Sequence, residues 1–220
     1  MAVSPMDRRA LQRPREKSPA SAIERDRVLV RRVLAGDRAA AIELYRMLQP
    51  AVDRTLRRIL GRREADHDDL LQQSFEQIVR TLREERFSHA CPLTAWAATI
   101  TARVALSELR SRYRRRRHVD DTVDDPDDAA PLAEDWQHRV RVRDQVAMVR
   151  RELARLDPGH AWVVVLHDLE GHRLVDVAVT LGISLSAAQS RLFRGRRELL
   201  RRCSALDGEL AVPTTEEAHR

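Results

Sequence analysis

The stretch HRLVDVAVTLGISLSAAQSRLFRGRRELL, residues 172–200, decides the fold. It reads as helix, tight turn, helix. Leu174, Val177, Ala178 and Leu181 recur at the spacing of one helix face. Gly182 can take the positive φ that a short inter-helix turn requires, and Ser184 can cap the helix that follows. That second helix divides into two stripes. Leu185, Ala188, Leu192, Gly195 and Leu199 form an apolar stripe, while Ser186, Gln189, Ser190, Phe193, Arg194 and Arg197 form a separate, mostly polar one. A DNA major groove admits one helix, and its base edges suit Arg, Gln, Ser and an apolar group against a thymine methyl. Phe193 carries weight here, because a large ring facing only water forgoes the free energy of burial. The alternative is that Phe193 packs on a neighbouring helix and the arginines are simply solvated. Many regulators share a helix-turn-helix, so the rest of the chain has to discriminate.

The 220 residues include 40 Lys+Arg against 34 Asp+Glu, and Lys17 is the only lysine. This length suits one or two domains. Aromatic residues make up 4% and glycine occurs 7 times, which argues against an all-β sandwich or a glycine-rich nucleotide fold. No apolar run approaches the roughly 20 residues that span a bilayer. The first 22 residues are basic but lack an apolar segment of the secretory type. Cys91 and Cys203 cannot form a disulfide framework, and a reduced, cytoplasmic setting without membrane insertion is expected. An arginine excess suits phosphates and base edges, although a codon bias towards arginine would give the same composition. Placement separates the two readings better than the net charge of +6 does.

Residues 23–119 carry 21 basic and 13 acidic side chains, and residues 139–203 carry 13 and seven. Between them, residues 120–138 carry eight acidic side chains (Asp120, Asp121, Asp124, Asp125, Asp127, Asp128, Glu134 and Asp135) and no Lys or Arg. With Pro126 and Pro131 and no apolar periodicity, this stretch reads as a linker. The expected architecture is therefore all-α: two small helical domains joined by a flexible acidic linker, the second a helix-turn-helix. The expected boundaries are a disordered tail over 1–22, a first domain over 23–117, the linker over 118–138, a second domain over 139–203 and a disordered tail over 204–220.

Helices are expected over about 23–35, then 37–60 with Asp37 as N-cap, Pro50 as a bend and Gly61 as the stop. Others follow over about 67–85 with a core stripe of Leu71, Phe75, Ile78 and Leu82, and from Pro92 to about residue 116. In the second half they fall at 139–155, from Asp157-Pro158 to 169, at 173–181 and at 185–202.

Two surfaces of the first domain stand out. Asp69, Gln72, Gln73 and Glu76 share a polar face opposite the core stripe, suited to a protein partner that presents arginines; an ordinary solvated face is the alternative. Along the long fourth helix, Trp96, Thr99, Arg103, Ser107, Arg110 and Arg114 line one side, followed by three further arginines at 115–117. An exposed Trp beside a row of arginines can hold phosphates and stack on an unpaired base. The alternative is a Trp buried in a helical core under a surface of arginines.

In this order the elements resemble an extracytoplasmic-function (ECF) sigma factor of the sigma-70 family, a group that keeps regions 2 and 4. The resemblance covers about residues 24–117 and 139–202. The segment DDLLQQSF (68–75) is similar to the region 2 helix that docks on the clamp helices of the polymerase β′ subunit. It implies core-polymerase contacts at Asp68, Asp69, Leu70, Gln72, Gln73, Phe75 and Glu76. The segment PLTAWAATI with SELRSRYRRRR resembles the part of region 2 that melts and reads the −10 element, implying roles for Trp96, Arg103, Ser107, Arg110 and Arg114. The stretch from Leu156 to Leu200 resembles region 4, whose second helix reads the −35 element. That implies −35 contacts at Arg173, Ser186, Gln189, Ser190, Phe193, Arg194 and Arg197, six of which lie on the polar stripe already derived.

The implied function is transcription initiation: binding RNA polymerase core at the β′ clamp helices and the β flap, and directing it to promoter DNA. Anti-sigma partners are common in the family, but no feature of the sequence demonstrates one. The chain departs from the family pattern at Arg103, usually Asn, at Ser107, usually Asp, and at Ser186-Ala187-Ala188, commonly Gly-Thr-Val. The linker resembles in charge the RNA that shares its path in the family, and a plain solvated spacer is the alternative. Its 21 residues from His118 to His138 reach ~70 Å at most, about two turns of B-DNA.

No cofactor, metal site or enzymatic activity is expected. His160, His167 and His172 lie across a helix and a loop without a nearby Cys. Glycine-rich phosphate loops, nucleophile elbows and paired catalytic carboxylates are absent from the sequence. The competing reading is a stand-alone helix-turn-helix transcription regulator, which would not need Asp69, Gln72 and Gln73 for a polymerase.

Overall fold

The structure, a computed structural model, describes residues 19–61, 66–118 and 136–209. Among these it is all-α: α1 (Pro19–Leu34), α2 (Arg38–Leu60), α3 (His67–Arg83), α4 (Leu93–His118), α5 (Trp136–Arg155), α6 (Pro158–Val164), a π-helical turn (Val165–Leu169), α7 (Leu174–Leu181) and α8 (Leu185–Glu209). The expectations for residues 1–18, 119–135 and 210–220, including most of the acidic linker, lie outside the described residues.

The helix boundaries follow local chemistry. Asp37 caps α2, its Oδ1 accepting from the N–H groups of Ala39 and Ala40 at 2.9 and 3.1 Å. The Ala40 N–H and then Arg32 hold that carboxyl below the usual carboxylate range. Gly61 ends α2 at φ 109°, and Gly182 joins α7 to α8 at φ 66°, both in the region that favours glycine. Ser184 Oγ accepts from the Ala187 N–H at 3.1 Å, and Asp157 Oδ1 from the N–H groups of Gly159 and His160 at 2.9 and 3.2 Å. Pro50 is accommodated inside α2.

Three boundaries differ from the sequence expectation. Helix α1 begins at Pro19, since a proline costs little in a first helical turn. Helix α5 begins at Trp136, inside the expected linker. Helix α8 runs on to Glu209 because Ala205 and Leu206 are good helix formers, so the expected C-terminal tail is helical at its start. Between Val165 and Leu169 the expected straight helix widens into a π turn, closed by the Glu170 N–H donating to the Val165 carbonyl at 2.9 Å.

Helix α4 is the centre of the first unit. Its N-terminal half is buried over most of its surface: Leu93, Trp96, Ala97, Ala98, Ile100, Ala102, Ala105 and Leu106 all lie in the core, with Arg103 exposed. Thr99 and Thr101 are buried there too, satisfied by bonds to the carbonyls of Ala95 and Ala97. Asp26 of α1 caps this helix from a distance, its Oδ2 accepting from the Leu93 N–H at 2.8 Å. Around α4 pack Leu29 and Val30 from α1, Leu44, Leu48, Val52, Leu56 and Ile59 from α2, and Leu70, Ile78 and Leu82 from α3. The second unit closes over Leu153, Leu156, Ala161, Val163, Val164, Val165, Leu166, Val177 and Leu192.

Candidate nucleic-acid and polymerase interfaces

The helix-turn-helix presents one fastened face and one free face. On the fastened side Ala188 is fully buried and Leu192 nearly so, while Leu185 is exposed at the helix start. Gly195 lies against α6, where a β-carbon would stand 2.7 Å from Val164 Cγ2. Arg196 pairs with Asp168 through its Nε at 2.9 Å, and Arg202 pairs with the buried Glu152 of α5 at 3.8 Å. These contacts fix the rotation of α8 about its axis.

On the free side Ser186, Gln189, Ser190, Phe193, Arg194 and Arg197 are all exposed. Phe193 is 66% exposed, so it does not pack on a neighbouring helix. Arg194 and Arg197 make no ion pair among the described residues. Arg173, just before α7, is largely exposed and lies 3.7 Å from Asp176.

On α3 the residues Asp68, Asp69, Gln72, Gln73 and Glu76 are exposed. Asp68 and Asp69 sit in the first turn, where carboxylates complement the helix dipole, and Gln72 Nε2 donates to Glu76 Oε1 at 2.9 Å. Leu70 is not on this surface. It is 6% exposed, and the inward row is Leu70, Ser74, Ile78 and Leu82, rotated from the expected Leu71–Phe75 stripe. The buried Ser74 makes that rotation tolerable by bonding the Leu70 carbonyl at 2.8 Å. Phe75 is half-buried and packs on Tyr45 of α2 with ring centroids 4.6 Å apart. Tyr45, itself 42% exposed, escaped the sequence reading because α2 supplies it from another segment.

The α4 row is divided by the fold. Trp96 is buried at 7% exposure and packs on Phe87 at 4.9 Å, correcting the expectation of an exposed ring. The reason is that small residues in this part of α4 let neighbours close over most of its surface. Arg103 has its guanidinium 4.9 Å from the Trp162 ring of α6. Arg110 is half-buried and reaches the Leu156 carbonyl at 3.5 Å. Arg103, Ser107 and Arg114 remain exposed. Arg103, Ser107 and Arg114 line one cleft with an edge of Trp96, with Arg86, and with Val179–Gly182 of α7 opposite. Arg110 is outside it. Arg86 and Trp162 belong to this region without having been read from sequence.

Among the described residues no cluster of three or more His, Cys, Asp or Glu could hold a metal ion, and no helix is long and apolar enough to cross a membrane. His167 is engaged through Nδ1 with the His172 carbonyl at 2.9 Å.

Comparison with known proteins agrees with this geometry. The family description Sigma-70 region 2 matches residues 44–115, and Sigma-70, region 4 matches residues 147–199. The RNA polymerase sigma factor CarQ of Myxococcus xanthus is 30% identical over 180 residues, covering 80% of this chain and 96% of that protein. The ECF RNA polymerase sigma factor SigM of Mycobacterium tuberculosis is 30% identical over 168 residues, covering 76% and 79%. The RNA polymerase sigma factor CnrH of Cupriavidus metallidurans is 29% identical over 182 residues, covering 79% and 92%. A solved structure of CnrH in complex with the cytosolic domain of CnrY superposes with a TM-score of 0.50 at 27% identity, covering 83% of this chain and 97% of that one. The matches to Sigma-70 region 2 and region 4, together with relatives 30% identical along most of their length, show that this chain belongs to the ECF RNA polymerase sigma factors of the sigma-70 family.

Proposed function

We propose that this sigma factor seats α3 on the β′ clamp helices of RNA polymerase core, receives unpaired −10 bases along α4, and lays α8 in the −35 major groove. The observation that carries the reading is Phe193, 66% exposed in line with Gln189, Ser190, Arg194 and Arg197. An aromatic ring held in water beside free guanidinium groups fits a thymine methyl and neighbouring base edges. The core contacts fall to Asp68, Asp69, Gln72, Gln73 and Glu76, with Phe75 and Tyr45 as an apolar anchor beside them. Leu70 supports that surface from beneath. Region 4 also has the β flap as a docking partner, as the family resemblance implies.

Arg103, Ser107, Arg114 and Arg86 supply the phosphate and base contacts of the −10 strand, and Arg173 a contact near the −35 element. Trp96 acts on that strand through its cleft edge. The action is binding rather than catalysis, in the cytoplasm where polymerase resides. A protein inhibitor of the anti-sigma type is a further expected partner, supported by the resemblance to CnrH, whose solved structure contains the cytosolic domain of CnrY.

Run-off transcription with purified core polymerase and genomic fragments tests the proposal. Specific starts that depend on this protein, and a complex with core on gel filtration, are expected. A protein that binds DNA alone yet forms no complex with core would leave the stand-alone regulator as the better reading.

A further inference from the structure

The cleft beside α4 is unevenly equipped. Arg86, Arg103 and Arg114 line a space of about 800 Å³, and Glu108 is the one carboxylate among its lining residues. That carboxylate is already engaged, accepting from Arg112 Nε and from Arg115 Nη2, each at 2.8 Å. Arg86 lies 3.4 Å from Glu84, but both side chains are exposed and such a pair is weak. Arg103 and Arg114 make no ion pair among the described residues. Arg103 sits over the Trp162 ring, 4.9 Å from its centroid, a contact that neutralises no charge. Partial desolvation, then the charge of neighbouring Arg86, hold its guanidinium below the ordinary arginine range. Two such cations side by side without a free carboxylate make a place for an anion.

The groups that could tell one base from another are mostly engaged. Gln77 is tied to Arg80 and to Thr81. Thr81, Thr99 and Thr180 each donate to a backbone carbonyl of their own helix, and Ser111 accepts from Arg115 at 2.7 Å. Gln73 belongs to the surface proposed for core polymerase. Ser88 and Ser107 remain, and a hydroxyl that both donates and accepts suits any base. The wall opposite, Val179–Gly182, carries no charge. Arg103 and Arg114, on one side of α4, stand about 16 Å apart along the helix, the length of a few nucleotides. Contacts to phosphate position a strand without reading its sequence.

We propose that this cleft holds the unpaired −10 strand by its phosphates with little regard to base, so that promoter choice rests on α8. Arg86, Arg103 and Arg114 set affinity, and Ser107 keeps the middle of the row free of negative charge. This rests on the α4 and α8 roles proposed above.

The test uses holoenzyme reconstituted with core polymerase. Fluorescent fork templates share one −35 duplex and differ singly in the unpaired −10 bases. Their Kd values should differ by less than about fivefold at every unpaired position, because a bidentate base contact discriminates by at least that much. Single changes in the −35 duplex should each cost about fivefold or more. Arg103→Ala should weaken all forks alike and lower the salt slope by about 0.7, the value of one single-strand phosphate contact. Arg103→Lys should restore that slope, and Arg114→Ala repeats the measurement at a second exposed arginine. Ser107→Asp should weaken every fork by a common factor. Circular dichroism checks that each variant is folded. A step of about fivefold or more at any unpaired base overturns the inference and leaves the α4 role standing. So does a loss confined to one base in the arginine variants, or a salt slope unchanged in both alanine variants. A −35 series as flat as the −10 series overturns the assignment of promoter choice to α8. Holoenzyme that grips the forks no better than core alone marks instead a failure of the α4 role itself.

Discussion

Gly195 of α8 and Val164 of α6 meet where no side chain fits between the helices. A β-carbon on Gly195 would stand 2.7 Å from Val164 Cγ2 and 3.3 Å from His160 Cβ. Val164 is buried and β-branched, so it has little freedom to retreat. The substitution Gly195→Ala gains about 1 kcal/mol of helix propensity but overpacks the contact at about 1–3 kcal/mol. A net loss of up to about 2 kcal/mol is expected, read as a lower melting temperature. Val164→Ala in the same chain should relieve part of the loss, giving favourable coupling in a double-mutant cycle. A more stable single variant would show that the two helices can move apart.

The exposed face of α8 proposed to read the −35 element supports a sharper test. Arg194→Ala should weaken −35 binding by ~1–3 kcal/mol and relax preference at one base position. Gel-shift competition with single-base variants of the −35 duplex measures this. Uniform weakening across all sequences, with a shallower salt dependence, would make Arg194 a phosphate contact instead. Phe193→Ala should act chiefly at a thymine position, because a methyl group is what a ring can sense there.

Much of this fold was legible in short-range chemistry. Asp37, Gly61, Asp157, Gly182 and Ser184 mark helix ends by rules that need only a few neighbours, and each acts at its expected place. The α8 stripes were readable because only one side of that helix is packed. Helix α4 was not readable in the same way. Its small residues allow burial over most of its surface, so periodicity gave no sign that Trp96 points inward. Pairs such as Asp26 with the Leu93 N–H, or Thr55 with Glu170, join segments far apart in the chain. No local pattern announces them.

Leu70 and Asp69 adjoin in sequence but belong to different parts of the α3 argument. Leu70 is 6% exposed, so Leu70→Ala should destabilise the protein by about 2–5 kcal/mol. Asp69 is exposed in the first turn of α3, so Asp69→Lys should cost only about 1 kcal/mol through the helix dipole, a far smaller fall in melting temperature than Leu70→Ala gives, while weakening binding to core polymerase about tenfold or more through charge repulsion. Thermal denaturation and gel filtration with core separate the two effects. An Asp69→Lys protein that still co-elutes with core at wild-type affinity would remove Asp69 from the docking surface.

Acid should loosen the structure in a defined window. Burial pushes both His172 and His89 below the ordinary histidine range; neighbouring Arg27 adds to the effect at His89, while Glu170 and Asp176 partly oppose it at His172. Nε2 of His172 and Nδ1 of His89 are buried without a hydrogen-bond partner among the described residues, so neither has an acceptor to stabilise a proton there. The unfolded chain takes up these protons near pH ~6.5, while the folded chain takes them up only at lower pH. Between those values the unfolded state holds more protons, so stability falls as pH drops through the window and is unaffected above it. Asp37 and Asp53 are held below the usual carboxylate range, so their contribution is lost only below about pH 3.9, in a separate acid limb. Melting temperatures measured from about pH 7.5 to about pH 5 should therefore decline below ~6.5. His172→Gln and His89→Gln should each flatten part of the decline, since glutamine carries no charge at either end of the range. A melting temperature that rises on acidification, or a slope indifferent to both substitutions, would show that these imidazoles are hydrated in the fold.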